Sequence, residues 1–146
     1  MKIQRLMIAT VCTFLAFGLA YAQTKELQPW YDEAGGLYPV FHVIRGLAAL
    51  GGQTLHAVEI SRPHDLQVLA VSGDGGTELW IANLTAAPRS VALAMTLREP
   101  RLSVLDQSAF VAVSQATDAL DRTEASWNQG ALELDALAVA RIRSRF

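Results

Sequence analysis

Catalysis or metal binding in this chain would have to come from a short roster of side chains. His42, His56 and His64 are the three histidines. His56 and Glu59 stand three apart on an expected strand, so they face opposite sides and cannot share a metal. His64-Asp65 follows Pro63 at an expected turn, where the pair is solvated. Glycoside hydrolysis needs two carboxylates at a fixed separation across a cleft. Glu59, Glu78, Asp106 and Glu133 are the candidates, and no spacing brings two of them together. Ser61, Ser72, Ser90 and Ser103 lack the Gly-x-Ser-x-Gly setting of an esterase nucleophile. Gly73-Asp74-Gly75-Gly76 joins two strand-like runs and opens no helix, so it is no phosphate loop. No catalytic residue, metal or cofactor is therefore expected.

Two kinds of binding residue remain. Trp80 shares the Glu78 side of its strand. An open indole face there would stack on a sugar ring. A covered one would belong to another domain's interface or to a second core layer under residues 108–120. His42, beside Phe41 and three before Arg45 on an expected helix, reads as a surface or interface histidine. Asn83-Leu84-Thr85 has the form of an N-glycosylation triplet. Asn83 more simply turns the chain by bonding its own backbone, with Thr85 opening the next corner.

These residues need elements to position them. Lys2 and Arg5, the apolar run from Leu6 to Leu19, and Ala20-Tyr21-Ala22 have the order of a signal peptide cleaved after Ala22. The apolar run is short for a membrane span. The expected organisation is a leader over 1–22, an irregular lead-in over 23–36 with Pro29-Trp30-Tyr31, and one domain over 37–146. Cleavage leaves 124 of the 146 residues, enough for a domain with a real core. The loss of Lys2 and Arg5 makes the formal charge of −2 more negative, which gives no electrostatic reason to bind nucleic acid. The single cysteine, Cys12, lies in the leader, so burial alone must hold the exported domain together.

Val40, Val43, Ile44, Leu47 and Leu50 recur at helical spacing after Pro39, and Gly51-Gly52 supplies a stop. This predicts a helix over 39–50, with Phe41 and Ala48 widening its apolar arc. Beyond it the period is that of strands. Thr54 to Ile60, Leu66 to Ser72, Thr77 to Asn83, Arg89 to Leu97 and Arg101 to Leu105 are expected strands. Gly73 to Gly76 is read as a hairpin turn through positive φ. Residues 108–120 fit a short helix or a loop. Ala131 to Leu134 and Leu137 to Arg143 are read as a closing pair. The fold class is mainly β: an antiparallel sandwich of six to seven strands preceded by one helix.

Three stretches carry a family resemblance: "LYPVFHVIRGLAALGG" (37–52), "LWIANLTAAPRSVAL" (79–93) and "LELDALAVARI" (132–142). In this order they resemble the C-terminal part of D-apionate lactonase-like proteins. Tyr38, His42 and Gly46 match the helix pattern, Ala82 to Thr85 the turn, and Val139 to Ile142 the final strand. The likeness runs over about 37–143. It implies a β-sandwich that, in those glycoside-hydrolase-like proteins, follows a (β/α)8 barrel. No barrel is present here, so no barrel residue has a position to be carried onto.

The expected function is that of an exported, periplasmic or secreted accessory domain that is not an enzyme. It would bind a partner protein or a saccharide, with Trp80, Phe41, His42 and Arg45 as candidate binding residues. Neither nucleic acid nor, after cleavage, a membrane is an expected partner. The helix at 39–50 is the expected site of self-association or of a protein contact, because one sheet can cover only part of its apolar arc. Two other readings are a lactonase or glycosidase with an unrecognised site, and a truncated remnant without its catalytic barrel.

Overall fold

The computed structural model describes residues 36–145. The expected leader, its cleavage site and the lead-in up to residue 35 lie outside the described residues. The chain divides into two units, residues 1–38 and 39–146. The account below concerns the second.

Helix α1 spans Val40–Ala48. Pro39 precedes it at φ −55°, where a missing N–H costs no helical bond. Eight strands follow: β1 Thr54–His56, β2 Leu66–Gly73, β3 Gly76–Asn83, β4 Arg89–Val91, β5 Arg101–Leu105, β6 Ala125–Ser126, β7 Leu132–Leu134 and β8 Val139–Ser144. Two short helices, α2 Phe110–Val113 and α3 Ala119–Arg122, lie between β5 and β6. Six strands form one antiparallel sheet in the order β1-β2-β3-β8-β5-β6, and β4 and β7 form a second. The antiparallel sandwich with a leading helix is thus present, with a large sheet and a small one.

The large sheet is covered on both faces. Leu66, Ala70, Leu79, Ile81, Ala140 and Ile142 pack with Val91, Leu132 and Leu134 of the small sheet. On the other face Trp80 and Leu105 pack with Val113, Ala119 and Leu120 of the helical segment, and Val43 and Leu50 join them. Residues 108–120 are therefore neither one helix nor a plain loop. Asp106 starts α2 by accepting from the Ser108 hydroxyl (2.7 Å) and the Ala109 N–H (2.8 Å). Burial works against the Asp106 charge, but these bonds win and hold its carboxyl below the usual range.

The hairpin read at Gly73 to Gly76 is present, joining β2 to β3 with its positive φ at Gly76, φ 122°. A Cβ there would collide with the Ser144 carbonyl of β8, so only glycine fits. Two expectations need correction. Arg89 to Leu97 is paired only over Arg89–Val91. Its partner β7 is three residues long, and the Gln129 side chain takes both backbone groups of Leu97, at 2.6 and 2.7 Å. Finally, 131–134 and 137–143 do not pair with each other. β7 lies in the small sheet and β8 between β3 and β5 in the large one.

The chain therefore crosses between the sheets four times, at 84–88, 92–100, 127–131 and 135–138. Asn83 ties the first and the last together. Its side-chain oxygen accepts from Thr85 N–H (3.0 Å) and Thr85 Oγ1–H (2.9 Å). Its amide donates to the carbonyls of Ala87 (2.8 Å) and Asp135 (2.7 Å), with Leu134 O at 3.3 Å.

Candidate functional site

The side chains with the most chemistry gather on the helix-covered face of the large sheet. Trp80 comes from β3 at its centre. Its neighbour across the ladder is Arg141 of β8, whose guanidinium carbon lies 5.3 Å from the ring centroid. Glu78 sits two residues back on the same face. It accepts from Trp80 Nε1–H at 2.6 Å and from Arg141 at 2.9 and 3.1 Å. Arg141 also donates to Asp121 of α3 at 2.7 Å. Burial alone would lower the guanidinium's pKa, but Glu78 and Asp121 more than offset it and raise it further.

The sheet thus brings Glu78 and Asp121 to one guanidinium, which no sequence spacing revealed. They lie on different elements, and only the long-range β3–β8 pairing aligns them. They do not form a hydrolytic pair. A glycosidase needs an open cleft between its carboxyls and a proton on one of them, and here Arg141 fills the space between. Arg143 continues the network, donating to both Glu124 oxygens.

The open-face reading of Trp80 is corrected by its burial. The residue is 4% exposed and belongs to the helical-side core. Its ring lies against Gly46 of α1, where a Cβ would fall inside the benzo edge. A sugar cannot stack on a ring already enclosed by a helix and an arginine. Gly46→Ala is expected to destabilise the fold by about 1–3 kcal/mol through overpacking. The same change in an unpacked helix interior would stabilise by about 1 kcal/mol. A rise in the thermal midpoint of Gly46→Ala would show that the α1–Trp80 contact is loose.

His42 is also buried, at 3% exposure, and is not a surface histidine. Its Nε2 lies 2.6 Å from the Val113 carbonyl of α2. A carbonyl only accepts, so Nε2 carries the proton. Phe41 is half-buried and meets the His42 ring edge-on, with centroids 5.5 Å apart. Arg45 is exposed and donates to the Thr117 carbonyl and to Asp121. The outward face of α1 carries Val40, Ile44 and Leu47, exposed by 50%, 45% and 39%. His56 bonds the Ser72 hydroxyl at 2.7 Å, and His64 is exposed. Among the described residues no group of side chains could hold a metal ion.

Two comparisons with known proteins bear on this architecture. The model for the family "D-apionate lactonase, C-terminal immunoglobulin-like domain" matches residues 63–142. That span runs from just before β2 into β8 and leaves α1 and β1 outside. The fold is similar to that of a GH30 endoxylanase from Clostridium papyrosolvens C71, with a TM-score of 0.55 at 16% identity. The match covers 77% of this chain and 29% of the endoxylanase chain. At such identity the likeness is one of fold alone. A search of the curated proteins finds no match.

Proposed function

Because the chain belongs to the family of D-apionate lactonase C-terminal immunoglobulin-like domains, we propose that it is a non-catalytic accessory module, exported from the cell, that binds another protein through the outer face of α1. The observation carrying this reading is the width of that helix's apolar arc, which runs on past the core-facing side and is interrupted only at His42 and Arg45. Gly46 and His42 face the core, with Val43 and Leu50 beside them. The opposite face presents Val40, Ile44 and Leu47, each more than a third exposed. Covering such side chains fully is worth about 1.5–3 kcal/mol each, and a contiguous patch of this kind marks a contact surface.

The saccharide reading has lost its platform, since Trp80 is enclosed. The non-catalytic part rests on the Glu78–Arg141–Asp121 arrangement, in which both carboxylates are engaged by the guanidinium. A second copy of the chain is the occupant that can be tested directly. Sedimentation over a range of concentrations is expected to show association, weakened at least ten-fold, about 1.4 kcal/mol, in Ile44→Asp. The thermal midpoint of Ile44→Asp should barely move, because Ile44 faces outward. A wild-type chain that stays monomeric throughout would end the self-docking version. Turnover of sugar lactones or aryl glycosides, abolished by a single carboxylate substitution, would overturn the non-catalytic part.

A further inference from the structure

The face of the large sheet away from α1 is covered unevenly. Six strands form that sheet, and two short ones form the sheet packed on it. An open groove of about 560 Å3 marks where the cover stops. Its floor is Leu66, Val68 and Ala70 of β2 with Leu79 of β3. Residues 56–61 and 91–95 complete its wall, and β7 contributes nothing. The cover is thin enough there to leave Val58 41% and Met95 49% exposed, with Val68 and Leu93 only half-buried.

The backbone around the groove says what fits it. β4 pairs with β7 alone. Since Val91 lines the groove and β7 does not, the groove borders the edge of β4 that β7 leaves free. The chain beyond β4, residues 92–96, makes no backbone hydrogen bond among the described residues, and neither do residues 57–61. An open strand edge is a template for another strand, and proteins commonly guard one with a charged side chain or a proline. Residues 91–95 read Val-Ala-Leu-Ala-Met and carry neither. Size narrows the choice further. The wall from 91 to 95 is five residues long, whereas a stable interface between folded proteins takes about 20–30 residues a side.

We propose that this groove takes a short extended segment of another protein, added as a strand along the free edge of β4, with apolar side chains resting on Val68, Ala70 and Leu79. Successive side chains of a strand point to opposite faces, so every second residue of the segment must be apolar. Backbone pairing supplies affinity, and the alternate apolar contacts supply selection. The volume also suits a small apolar molecule, but only a peptide satisfies the floor and the unpaired backbone together. The groove and α1 lie on opposite faces of the large sheet, so this site stands or falls separately from docking at α1.

The probes are the capped peptide Lys-Val-Thr-Val-Thr-Val-Lys and its counterparts with isoleucine or leucine in place of valine. In titrations of the whole chain, at least one is expected to give saturable amide shifts over 57–61 and 91–95. Hydrogen exchange should slow at alternate amides of 91–95, because a ladder engages every second residue of an edge. The same peptide N-methylated throughout keeps its side chains and loses its donors; it is expected to bind at least about ten-fold more weakly. Met95→Gln with Val58→Gln removes two exposed apolar wall residues and is expected to weaken the peptide about ten-fold. Val111→Gln, on the exposed side of α2, should leave affinity unchanged. The proposal is overturned if none of the three peptides binds saturably or if the shifts centre on α1. It is also overturned if the N-methylated peptide binds as tightly as its parent, the behaviour of an apolar small-molecule cavity. Equal losses in the Met95–Val58 double variant and in Val111→Gln would overturn it as well.

Discussion

Asn83→Ala is expected to cost about 3–5 kcal/mol of stability, among the largest effects of any single change in this chain. The side chain is 2% exposed. It makes two strong donations, to Ala87 and Asp135 carbonyls, and accepts two bonds from Thr85. Each such bond is worth about 1 kcal/mol net, and each buried group left unpaired costs about 1–3 kcal/mol. Alanine strands the Thr85 N–H and the Asp135 carbonyl together. The loss is felt twice, because two of the four crossings between the sheets share this residue. Urea unfolding should show a lower midpoint at unchanged slope. Thr85→Val keeps the amide contacts and should lose only about 1 kcal/mol. Asn83→Asp should fall at least as far as Asn83→Ala, since it sets a charge against carbonyls. A cost below about 1 kcal/mol for Asn83→Ala would mean that the crossings do not depend on it. The same burial answers the glycosylation triplet: the amide nitrogen a glycan would need is already donating inside the protein.

Arg141→Met is the second large effect, also about 3–5 kcal/mol, because it leaves Glu78 charged and nearly buried without its partner. Both side chains are 13% exposed. Removing the guanidinium also uncovers the Trp80 ring. The pairing partner tells these two losses apart. Glu78→Gln in the same chain removes the orphaned charge yet keeps an oxygen for Trp80 Nε1. Arg141→Met with Glu78→Gln is therefore expected to recover about half of the deficit. Chemical denaturation of the three variants and the parent measures this as a double-mutant cycle. Equal stability of the single and double variants would place the whole cost in lost packing over Trp80.

What the sequence made legible was what is local. α1 was readable because about three turns of apolar spacing, a proline before it and paired glycines after it act within a dozen residues. The β2–β3 hairpin was readable for the same reason, with its positive φ on Gly76 of the glycine-rich turn. The Arg89 to Leu97 alternation misled because a two-face pattern reports burial, not pairing. Val91 and Leu97 are indeed buried, but the backbone of Leu97 is satisfied by Gln129 instead of a strand. Trp80 was undecidable from its own strand, since α1 and residues 109–120, distant along the chain, decide whether its face is open. The arginine–carboxylate network was invisible for a related reason: Glu78 and Arg141 are 63 positions apart and meet only through the β3–β8 register. The face of α1 left unburied was legible in kind, since an apolar arc wider than one sheet must show somewhere. Which side chains it would be, Val40, Ile44 and Leu47, depended on the placement of Gly46 against Trp80.

The position of β8 sets the timing of the fold during synthesis. Residues 139–144 form a middle strand, with β3 on one side and β5 on the other. Until they leave the ribosome, the large sheet exists as two pieces, β1-β2-β3 and β5-β6, each with an unpaired edge. A ribosome adding about 5–20 residues per second needs several seconds to travel from Asn83 to Ser144. Throughout that interval β3 has β2 on one side but an open edge on the other. Exposed edges of this kind template wrong pairings, and the two pieces become one sheet only when β8 enters between β3 and β5.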